Sequence, residues 1–224
     1  MVYIRKQHEP RELTVYKKEK GASFSDLSGN NKVAVYNSLI KEQYGLCAYC
    51  MCRIFYNTET NRNIRIEHFI PQSDSNLGDA KSLDYKNMLG VCDGGVSSNR
   101  VSSISGAENI SCDAFKGNKT LSLNPSVKED YERMRIRYTS SGKIHSENKQ
   151  FDDELNAVLN LNNYRLIEER KRVKQVVVSF LNTHKKLTTT QREYKISQLQ
   201  TPKDGLLMPF YDVAIFFIKR IQLS

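Results

Sequence analysis

Four cysteines, Cys47, Cys50, Cys92 and Cys112, constrain this chain more than any other feature of it. In Cys47-Ala-Tyr-Cys50 two residues separate the thiols, a spacing at which one tight turn presents both sulfurs to a single tetrahedral ion. Cys92 and Cys112 flank a stretch from Asp93 to Ser111 that is rich in Gly, Ser and Asn and poor in apolar residues. That stretch reads as a surface insertion whose ends can close a four-cysteine site. The chain has five cysteines, an odd number, and clustered thiols in a reducing compartment suit a metal better than disulfides. The expected ligands of a structural Zn²⁺ are therefore Cys47, Cys50, Cys92 and Cys112. Cys52 is the spare thiol, a poorer ligand because only Met51 separates it from Cys50. The competing reading is that Cys92 and Cys112 are ordinary small buried residues.

Around the cysteines, apolar periodicity sets the expected elements. Val33, Val35, Tyr36, Leu39 and Ile40 predict an amphipathic helix running to Tyr44 and stopping at Gly45. The residues before it, through Lys17, Lys18 and Lys20, read as an irregular lead-in. Ile64 to Ile70 alternates as a strand, which Pro71 ends. Leu89 to Cys92 is a second short strand, and a short helix is expected to start near Cys112. Past Leu123-Asn-Pro125 the pattern changes to a hairpin from Ile136 to Ile144 around Ser140-Ser-Gly142. A long helix is expected from Leu155 to Asn182, carrying Leu166, Val173, Val176, Val177 and Phe180 among Lys and Arg. A last helix, Tyr211 to Ile221, is apolar around most of its circumference. The expected fold is α+β in two parts: 1–125 with the cysteines, and 126–224 as a hairpin and helical extension packed on or beside it.

A chain of 224 residues can bury a core without disulfides or a partner subunit. Its 34 Lys and Arg against 25 Asp and Glu give a formal charge of +9, which favours polyanionic partners such as nucleic acid. No apolar run is long enough to span a bilayer, and Met1 to Gln7 lacks the apolar core of a signal peptide. A soluble, cytoplasmic protein is expected.

Glu67-His68 closes the first predicted strand. A carboxylate beside an imidazole suits metal-assisted phosphodiester hydrolysis, in which the carboxylate takes a divalent cation and the imidazole a proton from water. Taken alone, a histidine is more often structural, and His8, His145 and His184 are read that way. Tyr49, Phe55 and Tyr56 lie near the knuckle, where they could stack on bases, although core or rim positions are commoner for such residues.

Together these segments resemble the HNH endonucleases. The resemblance is carried by Cys47-Ala-Tyr-Cys50, Ile66-Glu-His-Phe-Ile-Pro-Gln72, Leu83-Asp-Tyr-Lys-Asn-Met-Leu-Gly-Val-Cys92 and Cys112-Asp-Ala-Phe-Lys-Gly-Asn118. It implies a ββα-metal core stabilised by the cysteine knuckle, with His68 as general base and Asn87 bracing the loop that carries it. Glu67 stands where the family has His or Asp. Asp113 stands at a metal-ligand position usually held by His or Asn. The implied catalytic ion is Mg²⁺ or Mn²⁺ on Glu67 and Asp113, with Lys116 facing the phosphate. The resemblance continues through Leu121-Ser-Leu-Asn-Pro125, Phe151-Asp, Leu159-Asn-Leu-Asn162 and Pro209-Phe-Tyr. It points to a bacterial subfamily that includes the HNH component of Septu-type anti-phage defence and retron effectors, which works with a separate ABC-type ATPase. The chain has no Walker-type phosphate loop of its own. DNA is the expected substrate; an RNA (tRNA) nuclease using the same site and a non-enzymatic zinc-ribbon adaptor are the alternatives.

Overall fold

The computed structural model describes residues 1–96, 109–183 and 187–220. Most of the Asp93–Ser111 insertion, as well as His184 and Ile221, lies outside the described residues. The fold is α+β, with two small antiparallel hairpins and a helical C-terminal half.

Helix α1 (Arg11–Tyr16) lies where the sequence suggested an irregular lead-in. Its one and a half turns survive because Leu13 and Tyr16 are buried, so packing rather than intrinsic propensity holds them. Helix α2 (Gly29–Glu42) buries Val35, Tyr36 and Leu39 as their spacing predicts. Gly45, at φ +71, turns the chain beyond it in a left-handed conformation that side chains other than glycine's rarely adopt.

Strand β1 (Ile64–His68) pairs antiparallel with β2 (Met88–Cys92), with Ile64 opposite Cys92 and His68 opposite Met88. β1 stops two residues short of the expected Ile70, because Asn87 takes over the hydrogen bonding of Ile70. Between the strands lie α3 (Gly78–Ser82) and a 3-10 turn, Tyr85–Asn87. All of β2 is buried. In place of a third strand, the Gln43 side chain bonds both Gly90 N (2.7 Å) and Gly90 O (2.7 Å), satisfying backbone groups that a buried edge would otherwise leave unpaired. Gly90 makes this close approach possible, since a Cβ there would meet Ile54 and Leu39 at 3.1 and 3.2 Å.

After β2 come α4 (Asp113–Lys116), α5 (Lys128–Met134) and the second hairpin, β3 (Ile136–Tyr138) with β4 (Ile144–Ser146). The single helix expected over Leu155 to Asn182 is instead two, α6 (Lys149–Ala157) and α7 (Tyr164–Thr183). Asn160, at φ +48, breaks the run, and Asn163 accepts from Leu166 N at 3.1 Å to start α7. Asparagine tolerates the left-handed conformation and competes with helical bonding, which is why it punctuates here. Helix α8 (Thr189–Gln200) begins with a capping box on Thr188 and Gln191 and buries none of its residues.

Helix α9 (Tyr211–Arg220) packs against α7 and α8. Val213, Phe217 and Ile218 are buried there, each worth about 1.5–3 kcal/mol, so its apolar circumference is largely spent inside the protein. The core runs without interruption from Leu13, Leu39 and Val91 to Phe151, Leu159 and Val213. Backbone bonds cross residue 125, from Cys112 N to Leu159 O (2.9 Å) and from Leu207 N to Tyr44 O (3.0 Å). Among the described residues no helix is long and apolar enough to cross a membrane.

Candidate functional site

The turn that carries Cys47 and Cys50 is closed by backbone bonds from Cys47 N to Cys52 O (2.8 Å) and from Met51 N to Cys47 O (3.2 Å). It doubles back through Met51 at φ +68. Cys92 ends β2, and Cys112 enters from the far side of the insertion with φ +56, an uncommon conformation for a side chain of this kind. The four sulfurs converge with Cys47–Cys112 at 3.8 Å, Cys50–Cys92 at 3.6 Å and Cys92–Cys112 at 3.8 Å. All four lie within 4.8 Å of one another and are buried. A tetrahedron with zinc–sulfur arms of about 2.3 Å has edges of about 3.8 Å, so the cluster has the dimensions of a structural zinc site. All five thiols are free of disulfide bonds.

Electrostatics inside the cluster point the same way. Burial works against a charge on Cys47, yet thiol hydrogen bonds from Cys112, Cys50 and Cys92 pull it well below the ordinary thiol value. Hydrogen bonds within the cluster hold Cys50 and Cys112 well above that value. A zinc ion held by these four residues would bind them as thiolates, so its uptake would release the protons they carry.

The second group sits at the opposite end of the β1–β2 hairpin. Glu67, His68, Asn87 and Lys116 are all buried. His68 Nε2 lies 2.8 Å from the Ser82 carbonyl oxygen. A carbonyl can only accept, so Nε2 carries the proton and Nδ1 keeps its lone pair. Burial lowers the His68 pKa, against the opposing pull of Ser82 and Asp113, which favours the neutral ring. The Phe24 ring meets the imidazole edge-on at 4.3 Å.

The Glu67 carboxyl is pushed up to about 8 by burial and by a hydrogen bond with Asp113, while Lys116 pulls it down. Its Oε1 accepts from Lys116 Nζ at 2.8 Å and from Tyr49 OH at 3.1 Å. Asp113 is partly exposed and lies 3.6 Å from Arg65 Nη1. Asn87 joins loops: its Oδ1 accepts from Ile70 N (2.8 Å), and its Nδ2 donates to Ile70 O (3.0 Å) and Lys81 O (3.1 Å). The hairpin, the 3-10 turn and α4 thus bring Glu67, His68, Asn87, Asp113 and Lys116 into one place.

Lys116 is buried rather than solvent-facing. The single turn of α4 carries it inside, where it pairs with Glu67, because a buried carboxylate needs a cation. Tyr49 is fully buried and cannot stack on a base. Tyr56 stacks on Tyr36 at 5.3 Å. Sequence reasoning did not find Arg65, although its place two residues before Glu67 puts both on one face of β1. Nor did it find Tyr49 as a partner of Glu67, Phe24 against His68, or the Ser82 carbonyl; these are long-range contacts that no local spacing encodes. No model of a known protein family matches the chain, and no curated protein is significantly similar to it.

Proposed function

We propose that this chain is a metal-dependent HNH-type endonuclease acting on DNA, with β1, β2 and α4 as its ββα-metal core and Cys47, Cys50, Cys92 and Cys112 holding a structural Zn²⁺. The observation that carries this reading is the placing at one strand end of His68, fixed through Nε2 by the Ser82 carbonyl, and of the buried Glu67 carboxyl, pushed up to about 8 by burial and by neighbouring Asp113. His68 takes the proton of the attacking water, with its ring fixed in the required tautomer by Ser82. Two like carboxyls held this near one another resist ionising together, and their hard oxygens suit Mg²⁺ or Mn²⁺ rather than zinc. When bound by Glu67 and Asp113, such an ion supplies Lewis-acid stabilisation of the scissile phosphate and the leaving oxygen. Lys116 and Tyr49 fix the Glu67 carboxylate from behind, which makes Lys116 a positioning residue. Asn87 holds Phe69 and Ile70, and so the end of the strand that carries His68. The +9 charge of the chain favours a polyanionic substrate.

The resemblance to the defence-associated subfamily extends the proposal to a partner, a separate ABC-type ATPase.

The test uses the purified chain, alone and co-expressed with an ATPase encoded beside it, on labelled duplex DNA, single strands and tRNA, with Mg²⁺, Mn²⁺ or chelator. Metal-dependent cleavage of DNA is expected. His68→Ala is expected to lower the rate by about 10² to 10⁴ with zinc content and melting temperature retained. Near-normal turnover in that variant overturns the mechanism. Cleavage confined to tRNA shifts the reading to an RNA nuclease, and no cleavage under any condition favours the zinc-ribbon adaptor.

A further inference from the structure

Arg165, in the first turn of α7, reaches from the helical half of the protein to the cysteine cluster. Its Nη1 donates to Cys52 Sγ at 3.7 Å and its Nη2 to Ser111 Oγ at 3.2 Å. Gly95 lies against the same guanidinium, so that a Cβ there would meet its atoms at 3.2 to 3.4 Å. The three contacts fall on the three segments that present the thiols. Cys52 closes the knuckle of Cys47 and Cys50, Gly95 follows Cys92, and Ser111 precedes Cys112. Ser111 is itself fully buried and bonds Gly94 O through both its backbone N (3.0 Å) and its hydroxyl (3.3 Å). The guanidinium therefore sits where the ends of the insertion meet the knuckle.

Charge gives this position its meaning. A Zn²⁺ ion with four thiolates carries two net negative charges in a buried setting, and buried charge is costly unless answered nearby. Arg165 Nε is buried without a hydrogen-bond partner, so the side chain is not held there by a complete set of neutral acceptors. A guanidinium stays charged even when buried, so its charge is placed where the segments bearing the thiols meet.

We infer that Arg165 is the counter-charge of the zinc–thiolate centre, clamping its three ligand-bearing segments and making zinc retention depend on the helical half of the chain. This rests on the zinc reading and not on any cleavage activity. It also gives the unbroken core a chemical purpose: α7 completes the environment of a centre whose ligands all lie before residue 113.

The experiment measures zinc per chain and zinc affinity by chelator competition in the full-length protein and in Arg165→Met, Arg165→Gln and Arg165→Lys. Arg172→Met serves as control, because Arg172 is exposed on the same helix and pairs with Glu169. Arg165→Met is expected to bind zinc about 10- to 100-fold more weakly, the range for loss of an outer partner of a metal site. Arg165→Lys, which keeps the charge, is expected to recover most of the affinity, while Arg165→Gln, which keeps donors without charge, is not. If Arg165→Met fails to fold, the Lys and Gln pair decides. Wild-type affinity in Arg165→Met, or equal recovery by Gln and Lys, overturns the counter-charge role. Wild-type protein that purifies without zinc overturns the zinc reading along with it, and the two failures are thereby distinguished.

Discussion

The thiol cluster and the carboxylate–imidazole group draw on the same stretches of chain, the knuckle, the β1–β2 hairpin and the start of α4, yet they are buried to different depths. Cys112 is fully covered, whereas Asp113, the next residue, keeps 26% of its side chain exposed. The sulfurs lie inside the core, among Leu46, Tyr49 and Val91. At the strand end Glu67 is buried, while Asp113 beside it is partly exposed. A metal enclosed by core residues contributes to folding, because its ligands meet only in the folded chain. A metal at an open strand end can exchange with solvent and meet a substrate, and it contributes chemistry. Tyr49 joins the two: it stands between two thiols in sequence and donates to Glu67 at 3.1 Å, so a distorted knuckle also misplaces the carboxylate.

The largest effect that could break this comparison is expected at the thiols. Serine in place of Cys47, Cys50, Cys92 or Cys112 should release zinc and unfold the chain. Structural zinc contributes roughly 10–16 kcal/mol in small zinc-binding peptides, and a whole domain is stable by only about 5–15 kcal/mol. Zinc analysis and thermal melting would show it. A variant that melts within a few degrees of wild type would mean that the sulfurs are ordinary core residues.

Asp113→Ala should do the opposite, keeping zinc and fold while raising the Mg²⁺ or Mn²⁺ concentration for half-maximal activity at least about tenfold, the scale for losing a metal-site partner. Asn at this position still offers an oxygen and should lose less. Glu67 adds a pH dependence whose sign is fixed. Its carboxyl is held up to about 8 without metal, so below that pH the cation must displace a proton. Apparent divalent affinity should rise by up to about tenfold per pH unit toward pH 8 and then level off. Calorimetry at pH 6.5 and 8.5 checks this, and equal affinities at both would remove Glu67 from the ligand set.

Asn87→Ala should have a smaller effect. It strips partners from Ile70 N, Ile70 O and Lys81 O, bonds that are part-buried and worth about 0.5–1.5 kcal/mol each. Denaturant unfolding should register the loss while zinc content stays unchanged. An unaltered midpoint would show that the loop needs no brace.

What could be read in advance follows the reach of each interaction. Cys47-x-x-Cys50 and the β1 alternation are local patterns, so the knuckle and hairpin were legible. Glu67 and His68 could be named as an adjacent carboxylate and imidazole at a strand end, whereas Asp113 could be named only through the resemblance to the HNH endonucleases. The inward turn of Lys116 could not, because a four-residue helix has no periodicity to read and its direction is set by the buried charge of Glu67. Likewise, nothing near Arg165 in the sequence points to sulfurs more than fifty residues away. The break between α6 and α7 was locally encoded after all, in Asn160, Asn162 and Asn163, but it was overridden by the apolar spacing on either side.

The smallest expected effect concerns Cys52, and it tests where the thiol cluster ends. Cys52 is half-buried, while the other four are fully covered, and it lies outside the tetrad whose sulfurs all fall within 4.8 Å of one another. Its sulfur instead accepts from Arg165 Nη1 at 3.7 Å. A serine oxygen can accept the same bond from a slightly shorter side chain. Cys52→Ser should therefore keep one full zinc per chain and shift stability by no more than about 1 kcal/mol, as expected for a change that leaves no cavity and no unpaired charge. Because Cys50 and Cys52 are separated by a single residue, a swap of ligands between them is the most direct challenge to the tetrad. Zinc analysis of Cys50→Ser and Cys52→Ser side by side decides it. Loss in the first and retention in the second fixes Cys50 as the ligand, and the reverse result would move the centre by one turn of the knuckle and bring Arg165 directly against a zinc-bound sulfur.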